Sequence, residues 1–118
     1  MNVEEFRNHC LEKAHVEETM PFDDTTLVFK LNNKMFALLS LKEERQNTCS
    51  LKCDPERAIQ FREEYSAVKP GYHMNKKHWN SVLFNHDVSD EMIFQMVDDS
   101  YALIFKSFSK KVQKELSE

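Results

Sequence analysis

The sequence predicts an α+β fold in which helices pack on one face of an antiparallel sheet. Segments 25–31 and 34–41 have the composition of strands and meet at Asn32-Asn33, where a tight turn is expected because Asn tolerates left-handed φ. Segment 48–53 alternates like a third strand. After Ser89, apolar residues recur at helical spacing over a long stretch, which indicates a core helix.

Helix-start signals lie before and after the first three predicted strands. Asn2 followed by acidic residues predicts a first helix over about residues 3–14. Asp54-Pro55 predicts a second helix that runs to about residue 65, because Asp caps free amides and proline loses no hydrogen bond at the first helical position.

The second half of the chain adds one more strand and two helices. Residues 77–84 are predicted to form the fourth strand. Ser89 caps the long helix, and a short last helix is predicted over 110–116. The face of the sheet opposite the helices is expected to be available to a partner.

Bulk properties indicate one domain over residues 1–118. The chain is 41% hydrophobic and 31% charged, with one Gly and three Pro, which suits a single core without flexible linkers. Residues 1–7 lack the features of a signal peptide, and no stretch has the length of a membrane span. A cytoplasmic protein without a membrane partner is expected, with its three cysteines reduced.

Residues 69–80, called here the basic segment, concentrate unusual residue types. They hold the only Gly, the only Trp, three Lys and two His of the chain. Pro70-Gly71 predicts a type II turn with positive φ at the glycine. No Asp or Glu occurs between Tyr65 and His86, so that stretch carries a formal +3 in a chain of net charge −4. A surface projection of positive charge is expected.

The basic segment also resembles the signature of the MmcQ/YjbR family of small bacterial proteins, in the run Pro-Gly-Tyr-His-Met-Asn-Lys-Lys-His-Trp-Asn. Segments 26–37, 51–56 and 99–101 agree with the family in order and spacing. The resemblance implies a YjbR-like "double wing" α+β domain and a DNA-binding role.

Taken with the local charge, the resemblance suggests a nucleic-acid interface in the basic segment. Lysines would neutralise phosphates, histidines would donate hydrogen bonds, and an aromatic ring would stack on a base. The proposed contact residues are Lys69, Tyr72, His73, Lys76, Lys77, His78, Trp79 and Asn80. Lys52, Arg57 and Arg62 are secondary candidates. The overall pI of about 5.7 requires any such contact to be local.

Catalysis, cofactors and metal binding have little support in the sequence. One Gly cannot build the usual phosphate-cradling loop, and no nucleophile stands beside an evident base. Cys49 and Cys53 lie on one face of a strand about 13 Å apart, too far to chelate one ion. His73 and His78 lack a third ligand nearby. A non-enzymatic protein without a metal or cofactor is expected.

Two alternatives remain. In the first, a partner protein or a second copy of the chain binds the sheet face or a methionine-bearing helix surface at Met92 and Met96. In the second, a small ligand binds a pocket lined by Tyr72, His73, Trp79 and Tyr101. Ser100 and Tyr101 are otherwise expected to hydrogen-bond to the loop that holds Gly71.

Overall fold

The computed structural model describes residues 1–42, 47–71 and 74–118. Its strands form one antiparallel sheet in the order β1-β2-β3-β4-β6-β5. The elements are α1 (Val3–Leu11), β1 (Val16–Thr19), β2 (Thr26–Leu31), β3 (Lys34–Ser40), β4 (Thr48–Lys52), α2 (Pro55–Glu64), β5 (Val68–Pro70), β6 (Trp79–Leu83), α3 (Asp90–Lys106) and α4 (Lys110–Ser117). The predicted α+β class with an antiparallel sheet is confirmed.

The helix starts follow the capping signals. Asn2, Asp54, Ser89 and Ser109 each accept a hydrogen bond from a first-turn amide of the helix that follows. None of the helices among the described residues has both the length and the apolar character needed to cross a bilayer.

Two short edge strands were not predicted. The first helix was expected to reach residue 14, but α1 ends at Leu11, His15 takes a positive φ of 65°, and β1 begins one residue later. β5 is only three residues long and ends in Pro70. Proline is tolerated at a sheet edge, where its missing N–H faces no neighbouring strand. Both strands are too short to show a periodic pattern.

The main core lies between the sheet and the helices. Phe29, Leu39 and Val82 from the sheet pack with Phe6 of α1 and Ile93 of α3, and all five side chains are buried. Burying a large apolar side chain stabilises a fold by about 1.5–3 kcal/mol. This layer therefore fixes the position of the sheet on which the candidate site is built.

The opposite side of the sheet, called here the helix-free face, has a smaller cluster. Val28, Leu38 and Trp79 are buried there, with Met35 and Met74 packed against them, and none of these residues belongs to a helix. The expectation that this face is available to a partner is therefore wrong for its middle. A partner would contact the residues of this face that surround the buried cluster.

Antiparallel pairing decides which connections share an end of the sheet. The β2–β3 turn at Asn32-Asn33, the end of β4 at Lys52 and the start of β6 at Trp79 all lie at one end, called here the hairpin end. The β1–β2 connection and the β6–α3 connection lie at the other. Residues distant in sequence are thus gathered at the hairpin end.

Candidate nucleic-acid interface

Three lysines of the basic segment are exposed and form no ion pair with another described residue. Lys69, Lys76 and Lys77 are all solvent-exposed. Among the ion pairs formed by described residues, none involves any of these ammonium groups. An ammonium group that is not paired within the fold remains available to an external anion.

Asn75 organises the turn that carries two of these lysines. Its side-chain Oδ1 accepts a hydrogen bond from the backbone N–H of Lys77 at 2.9 Å. Its backbone oxygen accepts from the N–H of His78 at 3.2 Å and of Trp79 at 3.0 Å. An Asn side chain that bonds two residues ahead is a common device for stabilising turns. Lys76 and Lys77 are therefore held on a defined turn at the hairpin end.

Arg62 of α2 anchors this turn from the inside. Its guanidinium donates to Asn80 Oδ1 at 2.6 Å, to the backbone oxygen of Trp79 at 3.3 Å and to the backbone oxygen of Lys76. Asn80 in turn donates from Nδ2 to the backbone oxygen of Ala58 at 3.2 Å. Arg62 was a secondary contact candidate, but Nε and one terminal nitrogen of its guanidinium are hydrogen-bonded within the fold, which indicates a structural role.

Gly71 does not form the predicted type II turn. No glycine has positive φ, and Pro70 is the last residue of β5. The Gly71 N–H donates to the backbone oxygen of Trp79 at 2.7 Å. A Cβ at position 71 would lie 2.7 Å from Trp79 Cβ and 3.0 Å from its backbone oxygen. Glycine is needed for this close approach of two strands, a second well-known reason for its use.

Two predicted contact residues are buried. Trp79 is 7% exposed and packs with Val28 and Leu38, so its ring cannot stack on an incoming base. Asn80 is 4% exposed and its amide is bonded to α2. Both predictions are wrong as surface contacts because neighbouring residues on a strand point to opposite faces, and both faces are covered at this point.

The remaining predicted contacts divide between the described and undescribed parts of the chain. His78 is half-buried, and its backbone oxygen accepts from the Cys53 N–H at 2.7 Å, which ties the turn to the end of β4. Tyr72 and His73 lie outside the described residues.

Strand register adds two lysines to the interface. Lys69 lies opposite Ser81, Lys52 opposite Trp79, and Lys30 opposite Met35. Directly paired residues share a face. Lys30, Lys52 and Lys69 are therefore all on the helix-free face, around its buried centre, with Lys76 and Lys77 at the adjoining end. Lys30 was not among the predicted contact residues, because the face of the sheet on which it lies depends on strand pairing, which the sequence alone does not give.

Acidic residues are scarce on this face. Within the six described strands, Glu17 and Glu18 are the acidic residues. Glu18 is opposite the core residue Phe29 and is paired with Arg7 of α1 at 2.5 Å. Glu17 is opposite Lys30 on the helix-free face. The face thus carries three lysines and one glutamate, although the chain as a whole is acidic.

Arg57 does not extend the interface. Its guanidinium lies 3.4 Å from the Asp99 carboxylate and 5.1 Å from the centre of the Phe61 ring. The positive charge of Arg57 is thus paired with the Asp99 carboxylate within the helical layer. Of the three secondary candidates, Lys52 alone presents a charge on the helix-free face.

The thiols have the properties of core residues. Burial raises the pKa of Cys10 to about 12. Burial likewise raises the pKa of Cys49 and, more moderately, that of half-buried Cys53. A thiol becomes a nucleophile when its pKa is lowered, so these three lack the usual activation. Among the described residues, no three His, Cys, Asp or Glu side chains come close enough together to hold a metal ion.

Ser100 and Tyr101 do not bond to the Gly71 loop as predicted. The Ser100 hydroxyl donates to the backbone oxygen of Phe36 at 2.5 Å and accepts from the Lys52 N–H at 3.0 Å. The Tyr101 hydroxyl donates to the backbone oxygen of Ala14 at 2.6 Å. Both side chains therefore join α3 to other elements of the fold. Tyr101 and Trp79 lie on opposite sides of the sheet, which contradicts a pocket lined by both.

The methionine surface of α3 is largely internal. Met96 is 7% exposed and belongs to the main core, and Met92 packs against it. Among the described residues, the large exposed apolar side chains are instead those of Met20, Phe22, Leu41 and Ile59. Of the two methionines proposed for a docking surface, Met96 is therefore in the core, and Met92 is partly exposed.

Comparisons with known proteins place the chain among bacterial relatives. A family model described as YjbR matches residues 11–103. The chain is 36% identical over 105 residues to the uncharacterized protein YbdF of Escherichia coli O157:H7, covering 89% of this chain and 85% of YbdF. It is 33% identical over 101 residues to the uncharacterized protein YjbR of E. coli K12, covering 86% and 85% of the two chains.

Solved structures agree with the fold. The crystal structure of Deinococcus radiodurans protein DR2400 is similar with a TM-score of 0.91 and 39% identity, over 98% of this chain and 88% of that one. A crystal structure of a protein from Pseudomonas syringae gives a TM-score of 0.77 with 28% identity, over 87% and 98%.

Proposed function

This chain belongs to the YjbR family, and we propose that it is a cytoplasmic, non-catalytic module that binds nucleic acid through the lysines of its helix-free face and hairpin end. The contact set comprises Lys30, Lys52, Lys69, Lys76 and Lys77. One observation carries the proposal: the described fold provides no carboxylate partner for Lys69, Lys76 and Lys77, although the chain is acidic overall.

The proposed mode of binding is contact with the phosphate backbone. Lysine is a flexible point charge that suits phosphate oxygens, and such contacts fix position without reading sequence. Base stacking through Trp79 is not part of the mechanism, because that ring is in the small core. Bidentate side chains such as Asn are strong readers of base edges, but the Asn80 amide is hydrogen-bonded to Arg62 and Ala58. Binding without sequence preference is expected.

The breadth of the lysine set supports an extended ligand. Lys30 is on β2 and Lys69 on β5, which lie four strand spacings apart in the sheet. At roughly 4.8 Å per spacing, these two strands are about 19 Å apart. One phosphate group cannot contact both lysines across that distance, whereas successive phosphates of a polynucleotide can. The proposal therefore favours a polyanion over a small phosphorylated ligand.

We expect Lys76→Ala combined with Lys77→Ala to weaken binding to a labelled duplex about tenfold at about 50 mM salt, since each lost lysine removes one phosphate contact. The affinity can be measured by fluorescence anisotropy. Lys76→Arg with Lys77→Arg is the charge-preserving control and should retain binding.

A single-charge control comes from the opposite end of the sheet. Lys42 is exposed just after β3, away from the hairpin end, and Lys42→Ala should change affinity less than either single alanine variant at Lys76 or Lys77. If the double alanine variant binds as tightly as the unmodified protein, the proposed interface is wrong.

A further inference from the structure

A second group of lysines, outside the residues matched by the family model, lies at the junction of the last two helices. Residues 100–114 contain no Asp or Glu and four Lys, so they carry a formal +4. The four residues are Lys106, Lys110, Lys111 and Lys114, and all are exposed. None of them takes part in the ion pairs formed by described residues.

The packing of α4 directs these charges outward. Val112 and Leu116 are half-buried, and Leu116 packs against the main core. Gln113 donates from Nε2 to the backbone oxygen of Phe108 at 2.8 Å. With positions 112, 113 and 116 turned inward, Lys110, Lys111 and Lys114 lie on the outer surface of the helix. The helix is therefore amphipathic, with an outer surface that carries three lysines over residues 110–114, before the exposed Glu115.

Tertiary contacts place this lysine group at the hairpin end of the sheet. The Lys34 ammonium lies 3.2 Å from Ser107 Oγ and 4.8 Å from the centre of the Phe108 ring. Lys34 begins β3, directly after the Asn32-Asn33 turn. A second contact joins His15 Nε2 to the backbone oxygen of Leu116 at 2.7 Å. The α3–α4 junction thus adjoins the end of the sheet that also carries Lys76 and Lys77.

From this placement we infer that α4 is a second phosphate-contacting surface, and that the ligand is a duplex running across the hairpin end from α4 to the basic segment. The inference rests on the proposed function and names its ligand. A single strand usually requires exposed aromatic rings on which bases stack. The lysine-bearing regions among the described residues offer no exposed aromatic side chain, since Trp79 is buried and Phe108 is half-buried under Lys34. The contacts that the described residues offer are those of lysines, which suit a duplex backbone.

The test compares Lys110→Ala/Lys111→Ala/Lys114→Ala with the unmodified protein on a duplex of about 16 base pairs, whose length of roughly 54 Å exceeds the 40 Å longest dimension of the fold. The triple variant should bind at least about tenfold more weakly at low salt, and its salt slope should be shallower by about 2 to 3. Alanine favours helix, so the variant should stay folded, which circular dichroism can verify.

Further variants and ligands decide the outcome. The triple arginine variant at positions 110, 111 and 114 should bind like the unmodified protein. If the triple alanine variant keeps full affinity while Lys76→Ala/Lys77→Ala loses it, the role of α4 is overturned and the proposed function stands. If neither set of substitutions weakens binding, the proposed function fails, and the inference with it. Tighter binding to a single strand of equal length, or binding only to phosphatidylserine vesicles, would also overturn the duplex assignment.

Discussion

Gly71→Ala should destabilise the protein by about 2–3 kcal/mol, because the added Cβ would overlap atoms that cannot move aside cheaply. The nearest atoms are Trp79 Cβ at 2.7 Å and the backbone oxygen of Trp79 at 3.0 Å. Neither is the end of a flexible side chain. Relief would require β5 and β6 to separate, which would strain the 2.7 Å hydrogen bond from the Gly71 N–H to Trp79.

Whether Gly71→Ala lowers or raises the free energy of unfolding distinguishes steric crowding at position 71 from an effect on the flexibility of the unfolded chain. Gly71 does not have positive φ, so alanine is compatible with its backbone. Where the added Cβ fits without a clash, replacing glycine by alanine stabilises a protein by about 0.4–1 kcal/mol, because it reduces the conformational entropy of the unfolded chain. Urea unfolding of Gly71→Ala measures the difference, with Lys69→Ala, two residues earlier in β5, as an exposed control. A stability equal to or above that of the unmodified protein would show that the approach to Trp79 is not tight.

Ser100→Ala should cost about 2–4 kcal/mol, because it leaves the buried backbone oxygen of Phe36 and the part-buried N–H of Lys52 without this partner. Phe36 is the extra residue at the irregularity between β2 and β3, where Phe29 pairs with Ala37 and Lys30 pairs with Met35. A bulged residue loses its place in the ladder of hydrogen bonds. Ser100, which is 0% exposed, accepts from Lys52 and donates to Phe36 across this gap.

Chemical unfolding of Ser100→Ala can be compared with Ser117→Ala. Ser117 is exposed at the end of α4, and its hydroxyl bonds only to its own helix at Gln113. Both variants lose a serine hydroxyl oxygen, so the difference between their free energies of unfolding gives the contribution of the two hydrogen bonds made by Ser100. The Ser117 change should stay within about 0.5 kcal/mol, as is usual for surface positions. If the two variants are equally stable, Ser100 does not hold β3 and β4 together.

The main architecture could be predicted from the sequence because its signals are local. Asn2, Asp54 and Ser89 each mark a helix start, and the Asn32-Asn33 pair, both with positive φ, marks the hairpin. The two missed strands lack such signals. β1 and β5 are edge strands of four and three residues, and their conformation depends on pairing with β2 and β6.

The candidate site was predictable in its charges but not in its side-chain directions. The exposed positions of Lys69, Lys76 and Lys77 agree with the predicted charged projection. Trp79 and Asn80 were assigned to a surface because they follow the lysines in sequence, yet each lies under one layer of the fold. Lys30 is included in the interface because strand register places it on the helix-free face, and that register depends on tertiary pairing.

The most direct test of the account is the salt dependence of duplex binding by the unmodified protein. If the five lysines Lys30, Lys52, Lys69, Lys76 and Lys77 contact phosphates, the logarithm of the association constant should fall against the logarithm of salt concentration with a slope of about −3 to −5, and more steeply if α4 also binds. An affinity that does not change between about 50 and 200 mM salt, or the absence of binding at the lower concentration, would contradict a phosphate-binding role.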